Sequence, residues 1–387
     1  MEQSELSFLI VEESIYYILL FCFFFFGMVA FSLLINSVLL RFVKTLGTKN
    51  QPGAVVRWSS ETKPAIGGLA FFILFLTSFC IYSIAFDANQ VFQNVSILGV
   101  LVAATLAFIM GLTDDAYNTK PILKFLIQLS CAFILLFTGT GVEIFSSEVL
   151  NATLTIVWVV AIMNSINMLD NMDGISSSVS GFVLIAAIGY MVLHGNWLSL
   201  DFLLVLGMLA ALIGFLFFNW NPSSIYMGDT GSQFLGLMLA YIGIKYCFNA
   251  ETLNGGAHPF LGFSALVMVF LLPIVDTTTV TINRLRRGQS PFVGGKDHTT
   301  HNLSYFGLTD DKVAGIFCAL AAMSTAVYFL ILAYLPASDY LTLAISGTVF
   351  AAVFGVLFGI TEYNKRRNLS AEDHGKHQDS SAYAKRA

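Results

Sequence analysis

Long apolar runs broken by short polar joints repeat along the whole chain. A bilayer crossing needs about 20 mostly apolar residues, and eleven such runs are found, at roughly 15–40, 64–86, 93–112, 121–140, 150–168, 177–194, 200–218, 230–248, 261–282, 313–335 and 339–361. The run at 150–168 differs from the rest because polar side chains enter its end. LTIVWVVAIM is followed by NSINMLDNMDG, in which Asn164, Asn167, Asp170 and Asp173 fall at every third position. A three-residue step advances about 300° around an α-helix, so the four fan across half of the surface; in a 3₁₀ turn they align. Either way a polar wall stands at a helix end, and Gly174 permits a bend just after it. The pattern predicts an all-α polytopic integral membrane protein with about 11 transmembrane helices. Residues 1–363 form one transmembrane unit, and 364–387, polar and poor in apolar residues, are expected to be a disordered tail.

Composition agrees. The chain is 56% hydrophobic and 11% charged, whereas soluble domains carry about 25% charged residues. The acidic start, MEQSELSFLIVEES, lacks the basic region of a cleaved signal peptide, so the first run is expected to be a retained membrane helix. Cys22, Cys80, Cys131, Cys247 and Cys318 lie in apolar runs without CxxC spacing and read as small core hydrophobes. No nucleic-acid partner is expected.

Charge sets the orientation. With eleven spans, eighteen of the 19 Lys and Arg residues fall in joints on one side: Arg41 to Lys63, Lys120 and Lys124, Arg284 to Lys312, and the tail. Lys245 is the exception. Basic loops stay inside, so the N-terminus is expected outside and the C-terminus in the cytoplasm, across the plasma (inner) membrane.

The carboxylates follow the same asymmetry. A charge at the centre of a membrane helix costs about 2.5–3.5 kcal/mol, so such groups are rare unless used. Asp114, Asp115, Asp170, Asp173, Asp229, Asp276 and Asp297 all fall at the basic side. Each has a bland reading as a helix cap or turn residue. For Asp276, inside LLPIVDTTTV, the bland reading is an ion pair with an arginine. Asn and Asp oxygens suit Mg²⁺ on phosphates rather than zinc. The loop NRLRRGQSPFVGGKDHTTHNL adds arginines and the pair His298 and His301, which read as phosphate contacts. Together these groups suit magnesium-dependent phosphoryl transfer from a soluble donor to a lipid acceptor. Two rivals are weaker. A secondary transporter should show internal repeats and acids near the midplane, and an intramembrane two-aspartate protease needs two deep acids, where Asp276 alone is deep.

Five blocks in order, TKPAIGGLAFF, GLTDDAYN, NSINMLDNMDG, MGDTGSQFLG and DTTTV…RLRRGQSPF…KDHTTHNL, resemble those of the polyprenyl-phosphate N-acetylhexosamine-1-phosphate transferases. The resemblance covers about residues 57–361. It implies transfer of a sugar 1-phosphate from a UDP-N-acetylhexosamine to polyprenyl (undecaprenyl) phosphate with release of UMP, at a site open to the cytoplasm. This would be the first membrane step of a cell-envelope polysaccharide such as O-antigen lipopolysaccharide or teichoic acid. It implies Mg²⁺ as cofactor, with Mn²⁺ as the alternative, and is compatible with a homodimer. Asp114 and Asp115 match the family's paired catalytic aspartates, Asp114 as the base toward the lipid phosphate. Asn167 and Asp229 match its metal positions. Asp170 lines the pocket, Asp173 and Gly174 match the uracil position with Tyr226 as stacking neighbour, and Lys63, Arg284, His298 and His301 would meet phosphates or sugar. Two departures, HTTHN in place of three adjacent histidines and no Met-Ala-Pro before them, disfavour the alternative of a phospho-MurNAc-pentapeptide transferase. They leave UDP-GlcNAc as the expected donor.

Overall fold

The polar joints decide where each apolar run starts and stops as a helix. In the computed structural model, backbone is described for residues 3–46, 63–86, 92–253, 256–291, 295–335 and 340–384, and side chains for 15–43, 63–85, 92–253, 256–291, 295–335 and 340–367. The helices are α1 (Gln3–Leu46), α2 (Gly67–Phe86), α3 (Val95–Tyr117), α4 (Pro121–Phe137), α5 (Glu148–Leu169), α6 (Ile175–Leu193), α7 (Leu200–Asn219), α8 (Gly228–Gly243, continued by a π-helical turn Ile244–Phe248), α9 (Pro259–Val269), α10 (Leu271–Arg286), α11 (Thr299–Tyr305), α12 (Asp310–Tyr334) and α13 (Tyr340–Ala384). Asn94 opens α3 by accepting from the N–H groups of Ser96 and Ile97. Ser147 and Ser199 open α5 and α7 in the same way, and Pro121 sits in the first turn of α4, where its missing N–H costs nothing. Asn118 closes α3 with φ 50°.

Every predicted run is helical. Among the described residues, 8 helices are long and apolar enough to cross a membrane. The run at 261–282 is instead two helices, α9 and α10, meeting at 78°. Pro273 follows the break, and its lack of an N–H removes a helical bond to Val269. The run at 121–140 is a shorter apolar helix of 17 residues. The tail departs from expectation: the backbone of α13 continues as helix to Ala384. Asn364 Nδ2 donates to the Asn302 carbonyl at 2.7 Å and Arg367 to the Tyr305 carbonyl at 2.7 Å, so this helix braces α11. Cys131 and Cys247 are buried, but Cys22 and Cys80 lie on the outer surface and Cys318 is half-buried. Those three are not core residues. Lys49, Arg57, Lys385 and Arg386, used for the orientation, lie outside the described residues.

Helix α8 is the centre of the assembly. It is buried from Thr230 to Gly243, as a helix apolar all round should be. Its close neighbours approach through glycine, as in membrane helix packing. A Cβ on Gly68 would stand 2.2 Å from the Gly231 nitrogen, and one on Gly111 would stand 2.2 Å from the Asp229 carbonyl oxygen. Gly111 of α3 therefore fixes how near the start of α8 can come. Gly111→Ala is expected to displace Asp229 and to cost about 10²-fold in turnover, measured beside an unchanged elution profile in detergent.

Lys245, the exception to the charge pattern, has a local reason. It pairs with Asp201, which also accepts from the Tyr241 and Tyr246 hydroxyls at 2.7 Å each. The buried Asp201 carboxylate and the Lys245 ammonium compensate each other where they stand.

Candidate active site

Helix ends from distant parts of the chain meet at one face. Asp114, in the last turn of α3, is 7% exposed and takes the Thr119 N–H at 3.0 Å and hydroxyl at 2.5 Å on Oδ1. Its Oδ2 lies 2.7 Å from Lys124 Nζ of α4. The same Nζ lies 3.0 Å from Asp229 Oδ2 at the start of α8. Asp229 Oδ1 accepts from Asn167 Nδ2 of α5, which also donates to Ser232 Oγ at 2.8 Å. Two carboxylates thus converge on one cation position, here filled by the Lys124 ammonium.

The paired aspartates separate by task. Asp115 accepts from the Asp229 N–H at 2.9 Å, the Thr230 N–H at 2.8 Å and the Thr230 hydroxyl at 2.6 Å. Its carboxylate caps α8, where the helix dipole also favours negative charge. Asp115 therefore holds the start of α8 in place, and Asp114 faces the lysine.

A second cluster grows from the loop after α7. Asp173 accepts from the Ser223 N–H at 2.9 Å, the Ser223 hydroxyl at 2.8 Å and Asn221 Nδ2 at 3.3 Å. Lys63 stands 4.0 Å from Asp173 and 5.6 Å from the Tyr226 ring centre. Gly174 adopts φ 73° and donates its N–H to Asn219 Oδ1 at 3.1 Å. A Cβ there would stand 3.2 Å from the Trp220 ring, so the bend expected at Gly174 is present and needs glycine. Asp170 sits at the C-cap of α5. Tyr226 stands between the two clusters: Lys63 lies over its ring, Asp229 follows it by three residues, and its carbonyl accepts from Gly67 of α2 at 3.1 Å.

The third group is built on α10 and α11. Arg284 is 3% exposed. Its Nε and Nη2 fork onto Asp297 at 3.1 and 2.7 Å, and its Nη1 donates to the Pro291 carbonyl at 2.7 Å. That guanidinium braces its own loop here, which holds Arg284 in place beside α11. Asp276 pairs with His298 Nδ1 at 2.8 Å and takes the Thr299 N–H and hydroxyl at 2.8 and 2.6 Å. The partner of this deep carboxylate is a histidine, not an arginine. Thr300 donates to Asn171 Oδ1 at 2.7 Å, which ties α11 to NSINMLDNMDG.

His301 is 2% exposed. Burial first, and the neighbouring His298 second, push its imidazole down to about 4, so near neutrality it is an uncharged ring. Burial raises the Asp297 carboxyl, but the Arg284 hydrogen bonds and charge outweigh it and hold it below the usual range. Both groups therefore stabilise the loop above their ordinary values and lose that stabilisation as pH falls toward their folded-state values. For His301 the window runs from about 6.5 down to about 4, with up to about 3 kcal/mol at stake. Melting temperature in detergent is expected to drop between about pH 6.5 and 4.5, and His301→Gln to flatten that slope. An unchanged slope would remove His301 from the account.

Lys124 was read from the sequence for its side of the membrane alone. Its role at the site appears only when α3, α4 and α8 are brought together. Ser223, Asn221 and Thr119 carry no signal in the sequence for the same reason.

Residues 97–247 match the profile of glycosyl transferase family 4. The chain is 31% identical over 288 residues to a probable undecaprenyl-phosphate N-acetylglucosaminyl 1-phosphate transferase of Bacillus subtilis (strain 168), covering 72% of this chain and 75% of the relative. It is 28% identical over 272 residues to a decaprenyl-phosphate N-acetylglucosaminephosphotransferase of Mycolicibacterium smegmatis, covering 64% and 66% of the two chains. Similarity extends to a phospho-N-acetylmuramoyl-pentapeptide-transferase of Streptococcus agalactiae, 30% over 243 residues, covering 56% of this chain and 71% of the relative.

Proposed function

The chain belongs to glycosyl transferase family 4, and from that premise we propose that it transfers N-acetylglucosamine 1-phosphate from UDP-GlcNAc to a polyprenyl phosphate in the membrane, releasing UMP. The observation that carries this reading is the meeting of Asp114, Lys124, Asp229 and Asn167 at the ends of four helices. The N-acetylglucosaminyl names of the Bacillus and Mycolicibacterium relatives favour that sugar over the muramoyl pentapeptide.

In the reaction, an oxygen of the acceptor phosphate forms a bond to the β-phosphorus of the donor. The bridging bond between the α- and β-phosphates breaks, and UMP leaves with the electron pair. Asp114 takes any proton the acceptor phosphate still carries. Lys124 then loses one carboxylate partner and turns its charge to the phosphates. Lys63, Asp173 and Tyr226 hold the uridine end, and Asp170 lines the path between.

Among the described residues no three His, Cys, Asp or Glu side chains cluster as a metal cage. Mg²⁺ is bound with one or two carboxylates plus substrate phosphates, and two carboxylates already converge on a cation position, so the donor set fits. Asp229 would hold the ion. Asn167 points its amide nitrogen at Asp229 and would turn its oxygen inward to join. When bound, the ion supplies charge neutralisation for the departing phosphate.

We infer in addition that the site faces the cytoplasm across the plasma membrane, with the N-terminus outside and the C-terminus inside; the gathering of basic residues in joints on one side supports this orientation.

Purified protein with Mg²⁺, labelled UDP-GlcNAc and undecaprenyl phosphate should yield UMP and a labelled lipid pyrophosphate. Chelation by EDTA should stop the reaction and Mg²⁺ should restore it. A panel of UDP-sugars fixes the donor. Absence of product with every UDP-N-acetylhexosamine sinks the reading.

A further inference from the structure

One turn below the site lies a second tier of polar groups on three of its four helices. Gln128 of α4 donates to Gln233 Oε1 of α8 at 3.0 Å and to Asn164 Oδ1 of α5 at 3.3 Å. Asn164 donates back to Gln128 Oε1 at 2.8 Å and to its own helix at the Val160 carbonyl, 2.8 Å away. Gln128 and Gln233 are 1% and 0% exposed. The tier is in register with the one above it. Gln128 follows Lys124 by four residues, Gln233 follows Asp229 by four, and Asn164 precedes Asn167 by three. The sign changes on α5 because that helix runs toward the site while α4 and α8 run away from it. Each step is one helical turn.

Such a tier has a specific use in lipid. Apolar helix faces pack against one another about as well as against acyl chains, so apolar contacts alone set helix rotation weakly. Buried amides that satisfy one another only at one rotation set it strongly. We infer that Gln128, Asn164 and Gln233 are positioning residues for the transfer reaction, an amide lock that holds α4, α5 and α8 in the rotation at which Lys124, Asn167 and Asp229 meet. This rests on the function proposed above. Gln233 shows that the lock is not there for stability alone. Its Nε2 is buried without a hydrogen-bond partner among the described residues, a cost that an apolar side chain of the same shape would not carry.

The test replaces the amides by shape-matched apolar residues. Gln128→Met/Asn164→Leu/Gln233→Met is expected to melt no lower than wild type, to lose about 10²-fold in kcat, and to need more Mg²⁺ for half-saturation, with KM for the UDP-sugar little moved. The exchange Gln128→Asn/Asn164→Gln rebuilds the reciprocal pair with the same total length and should recover most of the activity. A role in packing volume alone predicts no such rescue. If the triple variant does not fold, Gln233→Met decides: unchanged melting with lowered kcat supports the lock. Wild-type kcat and Mg²⁺ dependence in the variants that fold overturn it. Mg²⁺-dependent UDP binding, followed by calorimetry in the same variants, separates the two failures. If wild type binds UDP yet transfers no sugar, the proposed reaction falls, and weakened binding in the variants still supports the lock.

Discussion

Asp229→Asn is expected to lower the rate of UMP release by about 10³-fold while the protein stays folded and in the membrane. The size follows from what the carboxylate does. One oxygen accepts from Asn167 and the other lies 3.0 Å from Lys124, so Asp229 is shared by three of the four helices that build the site. In the proposed reaction it would hold a divalent cation against the donor phosphates, and removal of one preorganised charge-stabilising group costs about 10²–10³-fold. Losing the cation's anchor belongs at the top of that range. Asparagine keeps the size and one acceptor oxygen, so the cap from Asp115 to the Asp229 and Thr230 N–H groups is untouched and folding should survive. The measurement is UMP release at saturating substrates, with elution profile and melting as controls. The residual activity should not be recovered by raising Mg²⁺ within the millimolar range. Full activity in Asp229→Asn would remove this residue from the metal site.

The helices were legible because the bilayer imposes a minimum apolar length on a crossing, but the count was not: eleven runs stand out in the sequence, whereas 8 of the described helices, or 9 with the bent pair α9–α10 taken as one, are long and apolar enough to cross. The break between α9 and α10 was not legible. Pro273 is visible in the sequence, but proline in a membrane helix either kinks or is tolerated, and which one depends on neighbours. At the site, residue type was readable and partnership was not. Asn164 stands in the polar series of NSINMLDNMDG, but its bond to Gln128 of α4 depends on a neighbouring helix that the series does not name. Arg284, in a loop rich in arginine, looked like a phosphate fork, yet Asp297 thirteen residues later takes that fork. A bidentate pair of this kind depends on the path of the loop, which sequence spacing does not give. Lys124 is the clearest case. In sequence it is one more basic residue near a joint, and only the approach of α8, set by glycines at 68 and 111, turns it into the cation between two carboxylates.

The adjacent pair Asp114 and Asp115 should give unequal losses when each is changed to asparagine, and the larger, about 10³-fold, should fall on Asp114. Adjacent residues on a helix point about 100° apart, and here that angle sends them to different partners. Asp114 faces Lys124 at 2.7 Å and holds Thr119 with its other oxygen. Its charge is what balances the lysine and what can accept a proton from the acceptor phosphate, and asparagine does neither. Asp115 spends its oxygens on the first N–H groups of α8. Asparagine keeps one of the two acceptor oxygens and so part of the cap, and Asp115→Asn should lose on the order of 10-fold. Asp115→Leu, which removes the acceptor, should lose far more and lower the melting temperature too. The pH–rate profile separates the two roles further. Asp114→Asn should change the shape of the acid limb, because in the proposed reaction Asp114 is the group that receives the proton, whereas Asp115→Asn should scale the whole profile down without reshaping it. Equal losses with equal changes in profile would mean that both carboxylates act on the substrate, and the capping role assigned to Asp115 would fall.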